Sequence, residues 1–229
     1  MVQNKTLKEA GLFILDIILN VAIIVFLVYV VRQFIVAPFQ VFGPSMCNTL
    51  NYQNEECLKG YGEYIIVNKF GYLTGDIDRG DIVVFHPPGD PENFYIKRVI
   101  GLPNENLKVE NGDVYVKKNE KDDWQKLNED YLNEQNRGKT STFTEGAREF
   151  KIPTDKYFVM GDNRRASTDS RSCFKDPFGG GCKGKEATPY IGKENVAGKA
   201  WLVLWPFNYI RVLDEAAYEI KDSQILAVK

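Results

Sequence analysis

Tyr95-Ile96-Lys97-Arg98-Val99-Ile100-Gly101-Leu102-Pro103 sets one lysine inside an apolar, β-branched run that ends in glycine and proline. The pattern predicts a strand over Tyr95–Ile100, with Tyr95, Lys97 and Val99 on one face and Ile96 and Arg98 on the other. Lysine on a strand most simply guards a sheet edge against aggregation. A lysine buried in an interior strand has a different chemistry, because burial disfavours the ammonium and lowers its pKa toward the range where it can accept a proton. The same strand grammar continues on both sides. Tyr64–Lys69, Asp81–Phe85, Tyr157–Met160 and Val196–Leu204 are rich in β-branched and aromatic residues. A turn at Arg79-Gly80 precedes the second of these and Pro87-Pro88-Gly89 ends it. Leu107–Glu110 and Val114–Lys117 flank Asn111-Gly112, a strong hairpin signal. Residues 119–149 are polar and rich in lysine, glutamate and asparagine, which predicts a solvated insertion at the edge of the fold.

Before this β-rich body lies a different kind of sequence. Leu12–Val31 is almost wholly apolar, interrupted by Asp16 and Asn20. Twenty helical residues span about 30 Å, one hydrocarbon core. Asp16 belongs near the Lys5/Lys8 end, so the span shifts to Ile17–Val36, where Arg32 and Gln33 reach outward. Ile35-Val36-Ala37 lacks the small-x-small pattern of a cleavable leader, and a buried core helix of this length is unusual. The reading is a single membrane anchor, with Lys5 and Lys8 cytoplasmic and everything after residue 37 exported. The fold class is therefore mostly β: one N-terminal transmembrane helix, then an all-β core with a smaller β-rich insert. The expected boundaries are 1–37 for tail and anchor, 38–103 and 156–212 for the core, 104–155 for the insert and 213–229 for a C-terminal tail without assigned role.

Charge and cysteines narrow the partners. Lysine and arginine (29) nearly cancel aspartate and glutamate (31), so no basic surface calls for nucleic acid. Four cysteines allow three pairings. Their spacings do not resemble paired CxxC knuckles, and His86 is the single histidine, so neither a metal site nor another cofactor is expected. A disulfide between Cys173 and Cys182 is favoured because Gly179-Gly180-Gly181 lets the chain turn back. The pairing of Cys47 with Cys57 stays open.

The anchor leads into Gly43-Pro44-Ser45-Met46-Cys47-Asn48-Thr49-Leu50. A serine hydroxyl is a poor nucleophile until a neighbouring base takes its proton. His86 is followed by two prolines, which places it in a loop, so Lys97 is the better base for Ser45. A third stretch, Gly161-Asp162-Asn163-Arg164-Arg165-Ala166-Ser167-Thr168-Asp169-Ser170-Arg171, follows an apolar strand as a dense polar loop.

Ser-Met-x-x-Thr-Leu after an anchor, Arg-Gly-Asp-Ile-Val-Val-Phe, Tyr-Ile-Lys-Arg-Val-Ile-Gly-Leu-Pro and Gly-Asp-Asn-Arg…Ser-x-Asp-Ser-Arg together resemble the bacterial type I signal peptidases, a Ser–Lys endopeptidase family. The resemblance runs from about residue 20 to 205. It implies Ser45 as nucleophile, Lys97 as general base and Ser167 as the hydroxyl that orients the lysine amine. Asp162 with Arg98, and Asp169 with Arg171, correspond to supporting ion pairs, expected to be exposed and to contribute mainly geometry. Phe39, Val41, Phe42, Met46, Leu50, Tyr95 and Ile96 sit where that family lines its shallow apolar S1 and S3 pockets. Two positions depart from the pattern: Asn48 stands where many relatives have proline, and Gly43 where some carry an oxyanion-binding serine. The expected oxyanion donors are the backbone N–H groups of Ser45 and Gly43. The implied activity is removal of signal peptides from exported preproteins after small residues, Ala-x-Ala-like, by a monomer on the extracytoplasmic side of the inner membrane, with the lipid bilayer as its other partner. Trp201, Trp205, Pro206 and Phe207 are either core or an apron dipping toward lipid. The alternatives are a Ser–Lys protease maturing one secreted partner, and a catalytically silent tethered β domain that binds exported chains.

Overall fold

The computed structural model describes residues 2–47, 49–70, 75–143, 149–175, 182, 187–213, 216 and 218, with backbone alone for residues 2–10. Asn48, Gly179–Gly181 and most of the C-terminal tail lie outside the described residues. The long helix α1 (Val2–Val30) continues into one π-helical turn, Val31–Ile35. Of this, Gly11–Ile35 is long and apolar enough to cross a membrane, and its apolar side chains are exposed along the whole length. Val36, placed in the span by sequence, instead opens strand β1 (Val36–Phe42) with no residue between. Strand pairing begins there, and the Lys69 N–H donates to Ile35 O (2.9 Å), so the end of the helix is tied to the sheet.

The chain then makes a two-strand ribbon, β2 (Tyr52–Gln53) with β3 (Glu56–Cys57), and returns as β4 (Tyr61–Asn68) beside β1. Strands β5 (Ile82–Phe85) and β6 (Tyr95–Gly101) form an antiparallel pair. Next come β7 (Asn106–Glu110), β8 (Asp113–Lys117), β9 (Gln125–Lys126) and β10 (Glu149–Lys151), which build their own sheet in the order β10-β7-β8-β9. The β7–β8 connection is Asn111-Gly112 with φ of 53° and 88°, the two left-handed residues that a tight hairpin turn requires. The chain closes with β11 (Lys156–Met160), β12 (Ile191–Gly192), β13 (Val196–Trp205) and β14 (Arg211–Val212). The main sheet runs β1-β4-β13-β5-β6-β11-β12, with β14 paired to β13.

This order puts β6 between β5 and β11, so Lys97 is on an interior strand and does not guard an edge. Both faces of that region are packed. All four residues of β5 are buried: Ile82 and Val84 enter a cluster with Val41, Met46, Leu50, Ile65 and Val203, while Val83 and Phe85 enter another with Val99, Val159 and Ile191. A third cluster joins the two sheets, with Ile100, Phe158 and Met160 of the main sheet against Leu107, Val114 and Phe150 of the smaller one.

The polar stretch after β9 does not behave as a solvated edge. Leu127, Leu132, Asn136 and Thr140 are buried, and the Thr140 N–H donates to Gly112 O (3.0 Å) at the tip of the β7–β8 hairpin. Residues 127–143 form a strap laid back over the body. Both Cys47–Cys57 and Cys173–Cys182 are disulfides. Trp201, Leu204, Trp205 and Phe207 are exposed, as are Phe42 and Tyr61 on the neighbouring strands, so the C-terminal aromatics are surface and not core.

Candidate active site

Strand β1 is followed by Gly43, whose φ of +79° lets the chain turn out of the sheet. The turn that follows presents Ser45 beside β6, with Ser45 Oγ 2.9 Å from Lys97 Nζ. Lys97 is 4% exposed, and its amine also donates to Ile96 O (2.8 Å). Burial lowers its pKa to about 8; Asp169 and Asp162 oppose that shift and Arg171 adds to it. At that value about a tenth of the amines are neutral at pH 7, far more than for an ordinary lysine, and the neutral amine has the lone pair needed to take the serine proton.

The two residues open on a cleft of about 370 Å³ walled by Phe39, Val41, Phe42, Tyr95 and Ile96, and also by Gln40, Ile65, Val84, Phe94, Ala166 and Thr168. Phe94 packs edge-to-face on Phe39 with ring centroids 4.9 Å apart. Met46 and Leu50 are not part of the wall. They are 1% and 0% exposed and lie in the core, because a single turn, closed by the Leu50 N–H donating to Met46 O (2.8 Å), puts both on the same inner side. His86 stands apart, stacked on Phe94 with its Nδ1 3.1 Å from Asn93 O.

The polar loop after β11 is the third wall, and of its charged residues Asp162, Arg164, Asp169 and Arg171 are buried while Arg165 is exposed. Arg98 grips Asp162 through two hydrogen bonds (2.9 and 2.7 Å), each side chain 2% exposed, and Thr49 Oγ1 donates to the same carboxylate at 2.5 Å. Arg171 grips Asp169 likewise (2.9 and 2.7 Å), both inaccessible to solvent. Burial alone would raise the Asp169 pKa, but Arg171 and the Gly161 N–H hold it below the ordinary value. The expectation of exposed pairs is therefore corrected. A paired charge without solvent is costly to break, since removing one partner strands the other.

The loop also holds the nucleophile turn directly. Asn163 donates from its N–H to Ser45 O (3.0 Å) and from Nδ2 to Pro44 O (3.1 Å). Gly161 has no side chain because a Cβ there would fall on Ser45 O and on the Ser167 hydroxyl. On its other side the turn is bracketed by Asn51, whose Nδ2 donates to Val41 O (3.2 Å) and Gly43 O (3.0 Å).

Two expected contacts are absent. The Gly43 N–H donates to Gly60 O (2.9 Å) and so is not free for an oxyanion, whereas the Ser45 N–H has no partner among the described residues. Ser167 is buried, but its Oγ has no hydrogen-bond partner among the described residues; Lys97 takes Ile96 O besides Ser45 Oγ. Sequence reasoning also missed Thr49, Asn51 and Asn163. Thr49 and Asn163 lie inside quoted motifs, but nothing local shows that their partners are Asp162 and Ser45. No group of three or more His, Cys, Asp or Glu side chains among the described residues is arranged to hold a metal ion.

A family model described as "Signal peptidase, peptidase S26" matches residues 14–205. Signal peptidase IB of Staphylococcus aureus (strain COL) is 32% identical over 206 residues, covering 85% of this chain and 91% of its own. Signal peptidase I P of Bacillus subtilis subsp. natto is 35% identical over 201 residues, covering 86% and 92%. A crystal structure of a signal peptidase I from Enterococcus faecalis V583 aligns with a TM-score of 0.38 at 27% identity, over 55% of this chain and 97% of that one.

Proposed function

Since the chain belongs to the signal peptidase family, peptidase S26, we propose that this peptidase removes signal peptides with a Ser45–Lys97 dyad. The observation that carries the reading is the 2.9 Å approach of Ser45 Oγ to a buried lysine whose amine is shifted to about 8. Ser45 Oγ attacks the scissile carbonyl while its proton passes to Lys97 Nζ. The oxyanion that forms is met by the Ser45 N–H. Collapse of the tetrahedral intermediate releases the amine of the mature chain, which takes the proton from Lys97, and leaves an acyl-enzyme on Ser45. Lys97 then draws a proton from water, which attacks the ester and restores the serine. Asp162, Asp169, Arg98 and Arg171 hold the loop that shapes this site, and the role of orienting the amine is assigned to Ser167, buried in that loop.

The substrate class follows from the cleft. Its wall is apolar and lies along strand β1, which favours an extended peptide with small side chains at the cleaved end, Ala-x-Ala-like, held by backbone pairing. The N-terminal apolar helix anchors the chain in the bilayer, with Lys5 and Lys8 cytoplasmic and the body on the extracytoplasmic side. The exposed Trp201, Trp205 and Phe207 suit contact with the lipid interface. A single chain holds all the groups named, so a monomer suffices.

The test uses the full chain in detergent micelles with a preprotein whose signal ends in Ala-x-Ala. Wild type is expected to cut once, after the second small residue. Ser45→Ala and Lys97→Ala should lose at least about 10²–10⁴-fold in kcat/KM, and Lys97→Arg should be as inactive, because guanidinium keeps its proton. Cleavage by Ser45→Ala at the wild-type rate overturns the reading.

A further inference from the structure

The strap after β9 reaches the active-site loop from behind. Arg164, at the centre of that loop, is wholly buried, and its side chain is bound from both sides. From the strap, Glu129 accepts from Nη1 (2.9 Å) and Nη2 (2.5 Å), Thr140 Oγ1 accepts from Nη1 (2.8 Å), and the Tyr131 hydroxyl accepts from Nη2 (2.8 Å). From the loop, Gly161 O accepts from Nε (3.2 Å). Arg164 O in turn accepts from Arg171 Nη1 (2.9 Å), and Ser141 O of the strap takes the same nitrogen (3.2 Å). Tyr131 donates to Glu129 (2.7 Å) and lays its ring 4.2 Å from the Arg98 guanidinium. The aromatic ring is thus wedged between the arginine that follows Lys97 in β6 and the arginine that follows Asn163 in the loop.

Among the described residues no hydrogen bond joins the strap to Ser45 or Lys97, yet what it grips is bonded to both neighbourhoods. Gly161 lies so near Ser45 O that a Cβ would collide with it, Asn163 is hydrogen-bonded to Ser45 O, and Asp162 binds Arg98 and Thr49. Burial of Arg164 is tolerable because Glu129 compensates its charge. Without Glu129 the guanidinium must admit water or leave its site, and either loosens the backbone from Gly161 to Asn163.

We propose that Glu129 and Tyr131 are positioning residues, acting through Arg164 to hold the Gly161–Asn163 backbone against Ser45, so that the strap completes the active site; this rests on the Ser–Lys reading above. The bland alternative is a staple between two sheets, which would affect stability alone.

The experiment compares full-length wild type, Glu129→Ala, Glu129→Gln and Ser45→Ala in micelles on the Ala-x-Ala preprotein. The readouts are kcat, KM, the pH profile of kcat/KM, and the fraction of active serine titrated with an acylating probe. Per titrated site, Glu129→Ala is expected to lose on the order of 10²-fold in kcat, the scale of an ångström of misplacement, at nearly constant KM. Its acid limb should move to higher pH as Lys97, faced by Asp162, Asp169, Arg171 and the Tyr95 ring, gains water. Glu129→Gln keeps the shape and one acceptor and should recover part of the loss. If Glu129→Ala fails to fold, Glu129→Gln decides: a lowered kcat with a shifted limb supports the proposal, and an unchanged kcat and limb overturns it. Cleavage that requires Ser45 but is indifferent to Glu129 overturns this proposal alone. Cleavage that survives Ser45→Ala overturns the Ser–Lys reading and the proposal with it.

Discussion

A lysine held at about 8 in place of 10.5 is still mostly charged at neutral pH, and under the proposed Ser–Lys reading this sets how the rate varies with acidity. Roughly a tenth of the molecules carry the neutral base at pH 7, so kcat/KM should rise about tenfold per unit up to about pH 8 and level off above it. A profile flat between about pH 6 and 9 would exclude Lys97 as the base. Stability has its own sign. Below about pH 8 the amine is charged in both folded and unfolded chains, so the cost of burying it is fully present; that cost fades as pH rises toward 10.5, the unfolded value. At this scale the sequence was informative about identity and weaker about direction. Ser45 and Lys97 stand out because each is a polar residue in an apolar run. Met46 and Leu50 look equally like pocket lining, and only the turn geometry sends them inward. The commitment of the Gly43 N–H to Gly60 O is likewise invisible, since it depends on a partner seventeen residues away.

Elements repeat the contrast. Strands β4, β5, β6, β7, β8 and β13 announce themselves by β-branched content and bounding turns, and their predicted limits differ by only a few residues from those observed. The strap does not announce itself, because its order comes from Glu129, Tyr131 and Thr140 meeting an arginine of another element, a contact with no local periodicity. The nucleophile turn has a second fastening of this remote kind. Cys47, two residues after Ser45 and wholly buried, is joined to Cys57 at the end of β3, enclosing Leu50 and Asn51, both inaccessible to solvent. Removing a link across so short a loop costs about 2–4 kcal/mol of constraint, and here the constrained segment is the one that aims the serine. Treatment of the full chain with a dithiol, which supplies the two electrons and two protons that convert the disulfide to thiols, should therefore lower kcat reversibly. A double variant, Cys173→Ser with Cys182→Ser, should keep that response. An unchanged rate, with mass measurement showing Cys47 and Cys57 both alkylated, would dissociate the link from catalysis.

The whole molecule is an apolar helix and a β body, and this division was legible because a membrane span and a strand-rich domain differ in composition over tens of residues. Less legible was how the two are joined. The π-helical turn ends at Ile35, β1 begins at Val36, and β1 is paired along its length with β4 before the chain turns to Ser45. With no loop between helix and strand, and pairing to β4 interrupted only at Val41, the serine keeps a short, defined offset from the place where the helix ends. If the helix is the anchor proposed above, the arrangement would act as a measuring stick: a signal peptide whose hydrophobic segment ends at the matching distance from its cleavage site would present the right bond, and one spaced several residues longer or shorter the wrong one. Four Gly-Ser residues inserted between Ile35 and Val36 should therefore widen the range of spacings that are cut in lipid vesicles, at some loss of rate on the best one. If the inserted and native chains cut a graded series of preproteins in identical proportions, the offset does not select length.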